Sequence, residues 1–185
     1  ARVDVLPTVW FRNTWSWGAK AKKPELSASK GKAMTIQGDQ VELGAIALYC
    51  DGDPQLLFTE NDTNLKNLYG VGEPASFYKD AFHEFLVGGR KDAVNPKQKG
   101  TKAAALYSLT IPSGGKEEVC VRLKTGENSN SSTDLFGASF SKIMNARLDE
   151  ANDFYDTVIP DSLNADQKNV MRQALAGMLW SKQFY

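Results

Sequence analysis

The sequence predicts a β + α protein: an antiparallel β region followed by two long helices. Three observations predict it. Short apolar runs, several alternating with polar residues, fill the first two-thirds of the chain. A polar Asn/Ser/Thr tract follows at 126–133. Beyond it, apolar residues recur every three and four positions. The 185 residues suit one domain with an appendage and can bury a real core. Hydrophobic residues at 42% and charged residues at 24% exclude wholesale disorder.

Residues 33–36 and 41–50 are apolar-rich, with Gly38-Asp39 between them as a turn dipeptide. Asp51-Gly52-Asp53-Pro54 breaks the chain, and Gln55 to Thr59 resumes a short strand. Over 102–111, Ala103, Ala105, Tyr107, Leu109 and Ile111 alternate with Lys102, Ser108 and Thr110. Pro112-Ser113-Gly114-Gly115 then turns the chain, and Val119, Val121 and Leu123 alternate with Glu118, Arg122 and Lys124. This predicts an antiparallel hairpin with one dry and one wet face. The tract from Gly126 to Thr133 is a linker, so the chain divides into a β portion (1–126), a polar hinge (127–138) and helices (139–185). Phe140, Ile143, Met144, Leu148, Ala151, Phe154, Tyr155 and Val158 define an amphipathic helix over 139–158, stopped by Pro160. Asn164 with Gln167 forms a capping box for the next helix, whose apolar stripe runs from Val170 to Leu179.

Composition narrows the function classes. The 22 basic and 22 acidic side chains cancel, which argues against a nucleic-acid partner. No run of about eighteen apolar residues is present, so no membrane-spanning helix is expected. His83 is the lone histidine, which excludes a multi-His metal site within the chain, and no nucleophile turn stands near it. Its expected place is a hydrogen-bonded position at the sheet edge. Asp80 and Glu84 are substrate-contact candidates by neighbourhood alone. Gly70-Val71-Gly72 and Gly88-Gly89 lack the spacing and context of a dinucleotide loop, so no cofactor is expected. Cys50 and Cys120 lie far apart without metal-ligand spacing; both fall in predicted strands, where unpaired buried thiols are the simplest reading, and a disulfide stays open. Asn61-Asp62-Thr63 and Asn130-Ser131-Ser132 match the short glycosylation pattern, which recurs by chance. The chain opens without Met or a signal-peptide core and stops at Trp180-Ser181-Lys182-Gln183-Phe184-Tyr185 without a helix-ending residue. Both ends are expected to be cuts in a longer protein. The compartment is left open, with the cytoplasm favoured.

Two segments carry the chemistry. Leu6 to Gly18 holds Trp10, Trp15 and Trp17 interleaved with Arg12 and Asn13. Indole offers a flat apolar face and one N–H donor, so the segment can stack on sugars; equally, the Trp residues can fill a domain interface while Arg12 pairs with a carboxylate. In Phe58-Thr59-Glu60-Asn61-Asp62-Thr63-Asn64, Glu60 and Asp62 point to one side of an extended chain, roughly 6.7 Å apart by strand rise. That resembles the carboxyl separation of an inverting glycosidase. Any i, i+2 pair on a strand has it, however, and Asn, Asp and Thr crowded after a strand more often build a polar loop.

The Leu6–Gly18 segment, Leu57 to Asn64, Lys79-Asp80-Ala81-Phe82-His83 and the Met171 to Gln183 run together resemble bacterial relatives of the processing mannosyl-oligosaccharide glucosidases, glycoside hydrolase family sixty-three. The resemblance spans nearly the whole chain in order. It implies an amino-terminal β-sandwich, a linker helix and a catalytic (α/α)6 barrel in an enzyme several-fold longer. This chain would hold the later sandwich strands, the linker helix and the first barrel helix near 165–185. The inverting acid and base would lie beyond Tyr185, so no catalytic residue is assigned. Trp10, Arg12, Asn13 and Trp15 would help wall the active-site mouth, with Glu60 and Asn61 behind them. The implied partners are a carbohydrate substrate and the missing barrel, and the stripe from Val170 to Leu179 is expected to drive self-association or to fold back. The competing readings are a self-sufficient carbohydrate-binding sandwich and a purely structural interdomain scaffold.

Overall fold

The computed structural model describes residues 1–18, 22–31, 33–72, 77–126 and 134–181. Two compact units result, Ala1–Phe136 and Gly137–Tyr185. The division falls within the stretch read as a hinge, of which 127–133, with the Asn130 pattern, lies outside the described residues.

In chain order the first unit carries β1 (Arg2–Val5), β2 (Thr8–Trp10), β3 (Glu25–Lys30), β4 (Met34–Gln40), β5 (Gly44–Cys50) and β6 (Gln55–Thr59). Two short helices follow, α1 (Leu65–Tyr69) and α2 (Ala81–Leu86), and then β7 (Lys99–Gly100), β8 (Lys102–Thr110) and β9 (Val121–Thr125). The strands form two antiparallel sheets in a sandwich-like arrangement, so the β + α class is as the sequence predicts. One sheet has the order β7-β3-β4-β5-β9. In the other, β8 is central: β1 and β2 share one edge of it and β6 lies along the opposite edge.

Between the sheets Phe11, Leu26, Ile36, Ile46, Cys50, Phe58, Ala103 and Ala105 form the main core. Full burial of each large side chain contributes about 1.5–3 kcal/mol. The alternation over 102–111 predicts one dry face, but β8 buries both of its faces from Ala103 to Leu106. Ala104 and Leu106 join Leu57, Phe82 and Phe85 in a second cluster, because α2 caps the outer face. Three consecutive alanines make this workable. They let Phe58, in register with Ala103, fill one side while Leu57, beside Ala104, fills the other.

The predicted hairpin between 102–111 and 119–124 does not form. The Pro112–Gly115 turn is present, with Gly115 N–H donating to Pro112 O at 3.1 Å. The chain then crosses to the other sheet, where β9 pairs with β5, Cys50 opposite Val121. Alternation reports which face of a strand is dry, whereas partner choice depends on which sheet can bury that face. Cys120 consequently sits just before β9, half-buried, instead of within a strand. Both cysteines are free thiols. Burial pushes the Cys50 thiol up to about 11, against an opposing hydrogen bond with Tyr107, which leaves it protonated and inert at neutral pH.

Gly38-Asp39 is likewise not a turn; it lies inside β4, and the reversal comes at 41–43. There the Gln40 side-chain carbonyl accepts from the N–H groups of Glu42 and Leu43, both at 2.9 Å. Gly38 serves packing instead: a Cβ there would stand 2.7 Å from Glu25 O and 2.8 Å from Leu26 Cδ2. On the outer face of this sheet Ala47 and Tyr49 pack with Leu135, and Ala33 and Phe136 lie against them.

The second unit consists of α3 (Ala138–Val158) and α4 (Ala165–Trp180). The capping box forms as its spacing predicts: Gln167 N–H donates to Asn164 Oδ1 at 2.9 Å, and Asn164 N–H to Gln167 Oε1 at 3.0 Å. Arg172 ties the helices together, donating to Asn152 Oδ1 at 2.8 Å with its guanidinium 4.5 Å from the Tyr155 ring centroid. Val170, Met178, Leu179 and Trp180 are exposed. Lys182 to Tyr185, including the closing aromatics, lie outside the described residues.

At Gly100 the backbone approaches more closely than at Gly38: a Cβ there would stand 2.3 Å from Thr59 O. Gly100→Ala must therefore part β7 from the end of β6, and is expected to cost about 1–3 kcal/mol in urea unfolding. Gly31, whose Cβ would meet nothing within 4 Å, is the control. Its alanine variant is expected to match or slightly exceed the parent, and equal effects at the two sites would contradict the packing described.

Candidate functional site

The site forms where three chain segments leave the upper end of the β8 sheet. β2 runs out into Phe11–Gly18, β6 into Glu60–Asn64, and Thr101 sits at the start of β8. Ladder-like bonds extend past the strands: Phe11 N–H donates to Thr101 O and Thr101 N–H to Thr59 O, each at 3.1 Å. Phe11 is buried between the sheets, while its chain neighbours Trp10 and Arg12 are exposed.

Thr101 is 1% exposed and its hydroxyl both donates and accepts. It donates to Glu60 Oε2 at 2.8 Å and accepts from Asn61 N–H at 2.7 Å. The Asn61 amide nitrogen crosses to Phe11 O at 2.9 Å. The asparagine of the 61–63 glycosylation pattern thus has its side-chain nitrogen in an internal bond. From the other side, Asn13 Nδ2 donates to Asp62 Oδ1 and to Asn61 O (3.3 Å), and Trp15 Nε1 donates to Asp62 Oδ1 at 3.3 Å. Asn13 also organises its own loop, its Oδ1 accepting from Ser16 N–H at 3.1 Å. Glu60 N–H donates to Phe77 O at 2.8 Å, and Lys79 N–H to Asp62 O at 3.1 Å.

Glu60 and Asp62 do share a side, as an extended chain requires, and the group between them is an ammonium. Lys23 Nζ lies 3.1 Å from Glu60 Oε2 and 3.7 Å from Asp62 Oδ2, and 5.9 Å from the Trp15 ring centroid. Because the Lys23 side chain is 45% exposed, water screens these pairs to about 1 kcal/mol or less. Hydrogen bonds onto the carboxylates, at about 1.5–3 kcal/mol each, outweigh them. An inverting acid–base pair needs open space for a sugar and a water between its carboxyls. Here the lysine and three neutral donors occupy that space, so the two carboxylates act as a clasp joining the loops.

The structure thus brings together Asn13, Trp15, Glu60 and Asn61 among the sequence-predicted residues. Trp10 and Arg12 stand outside the clasp. Arg12 forms no ion pair among the described residues; its guanidinium lies 5.1 Å from the Trp17 ring centroid instead. Trp10 is in register with Lys102, whose Nζ donates to Lys79 O at 3.0 Å and lies 5.0 Å from the Phe82 ring centroid. Burial holds the Lys102 ammonium below the ordinary lysine range, and nearby Lys79 adds to this while Asp80 opposes it. His83 lies on α2, exposed, and not at a sheet edge. Its helix covers the sheet with Phe82 and Phe85, which leaves position 83 facing away. Asp80 accepts from Asn64 Nδ2 at 2.9 Å, and Glu84 lies 3.8 Å from Arg90. No group of three or more His, Cys, Asp or Glu among the described residues is placed to hold a metal ion.

No protein-family model and no solved structure matches the chain. It is similar to the uncharacterized protein YMR196W of Saccharomyces cerevisiae, with 36% identity over 216 residues. That alignment takes in 98% of this chain but 19% of the yeast protein, so the chain spans about a fifth of the relative's length.

Removing the acceptor at the centre of the clasp should release both loops. Asp62→Ala is expected to lower unfolding stability by about 2–3 kcal/mol, whereas Arg12→Ala should stay within about 0.5 kcal/mol of the parent. Denaturant titration of the two variants checks this, and an Arg12 variant as damaged as the Asp62 variant would refute the assignment.

Proposed function

We propose that the chain is the β domain, linker helix and first barrel helix of an inverting α-glycosidase related to the processing mannosyl-oligosaccharide glucosidases. It supports the active-site mouth and lacks the catalytic pair. One observation carries the reading. The Leu6–Gly18 and Leu57–Asn64 segments, two of those that bear the family resemblance, are about fifty residues apart in sequence yet interlock through Asn13, Trp15, Asn61 and Asp62. Segments that answer to one family pattern are expected to converge in this way. The length of the yeast relative is consistent with a parent enzyme several-fold longer.

In this reading Asn13, Trp15, Glu60 and Asn61 hold the wall in shape, and Trp10 and Arg12 present its face. The missing barrel covers the exposed stripe on α4, and in its absence that stripe associates with other copies.

The isolated 185-residue chain is therefore expected to leave α-glucosides intact and to self-associate in sedimentation velocity. A protein continuing through the relative's full extent is expected to hydrolyse them and release the inverted anomer, read by proton NMR. Hydrolysis by the short chain that disappears in Glu60→Gln would overturn the reading, as would a longer protein without glycosidase activity.

A further inference from the structure

The Phe11–Gly18 loop is held along its length and yet keeps its last indole wet. Phe11 is buried in the core, Asn13 and Trp15 are bound to Asp62, and Trp17 N–H donates to Thr14 O at 3.2 Å. Gly18, at φ +85°, ends the 3-10 turn in a conformation that glycine adopts without strain. Trp17 nevertheless remains 66% exposed. Arg12 lies across it and, among the described residues, has no carboxylate partner, because Glu60 and Asp62 are taken by Lys23.

We propose that Arg12 and Trp17 together form the contact surface for one pyranoside ring of the substrate. This rests on the glycosidase reading above and assigns the touching residues within it, Trp17 among them. The chemistry selects the occupant. A dry protein surface laid on this pair would strand guanidinium N–H donors, each costly when buried unpaired. A polyanion is disfavoured by a chain of net charge 0. A pyranoside offers an apolar C–H face for the indole and hydroxyl acceptors at its rim for the guanidinium. The fixed loop means that little ordering is left to do on binding. Asn13, Trp15, Glu60 and Asn61 are positioning residues here: their polar groups are already engaged within the protein.

The test is a titration of the 185-residue chain with maltotetraose, following the indole N–H signals by 15N NMR. The expected result is a saturable shift of the Trp17 signal. Trp17→Ala should weaken binding by about tenfold or more, and Arg12→Lys, which keeps the charge but loses the planar fork, by several-fold. Both side chains are exposed, so unchanged unfolding midpoints are expected and separate lost contact from lost fold. No saturable response in the parent chain, equal affinity in Trp17→Ala, or self-association abolished by Trp17→Ala would each overturn the proposal. Hydrolysis by the longer protein is read separately. An active enzyme whose KM is unmoved by Trp17→Ala would overturn this contact pair and leave the glycosidase reading standing.

Discussion

The Asp62 carboxylate is the acceptor on which the arrangement of the loops depends. It collects the Asn13 amide and the Trp15 indole on one oxygen and faces Lys23 with the other. Those donors come from a segment nearly fifty residues away, which neither sheet ladder would hold in this form by itself. Thr101 plays the complementary part from the start of β8, its hydroxyl both donating to Glu60 and accepting from Asn61. Without these groups Phe11 would still be buried, but the chain beyond it would lose its register on the loop after β6.

This constraint explains how one aromatic-rich segment has two fates. Trp15 is drawn inward because its N–H has a carboxylate to meet, and an indole half-buried without a partner would pay for its desolvated donor. Trp17, two residues on, has no such acceptor among the described residues and stays in water under Arg12. The same logic separates the cations. Lys23 reaches the two carboxylates, and Arg12 is left to stack. A guanidinium with no ion pair among the described residues, above an exposed indole, then follows from which acceptors were already occupied.

Much of the fold was legible in the sequence where the signal is local. The helix over 139–158, its stop at Pro160 and the Asn164–Gln167 box depend on neighbours within one or two turns, and all appear as read. What was hidden depends on distant partners. Alternation over 121–124 showed a strand but not that β5 is its neighbour, and Gly38 resembled a turn because nothing local reveals the approach of Leu26. The candidate site divides similarly. Asn13, Trp15, Glu60 and Asn61 stood in recognisable segments. Lys23 lay in an ordinary basic stretch and Thr101 at an unremarkable strand start, with no local sign that either meets the clasp.

A double-mutant cycle between Asn13→Ala and Asp62→Ala, measured by urea unfolding, tests the clasp most directly. If the two loops are held through this pair, the single substitutions are each costly and the double is little worse than either. The coupling energy should then be about 1.5–3 kcal/mol. Effects that simply add, to within about 0.5 kcal/mol, would mean that the loops are positioned independently and would contradict the account.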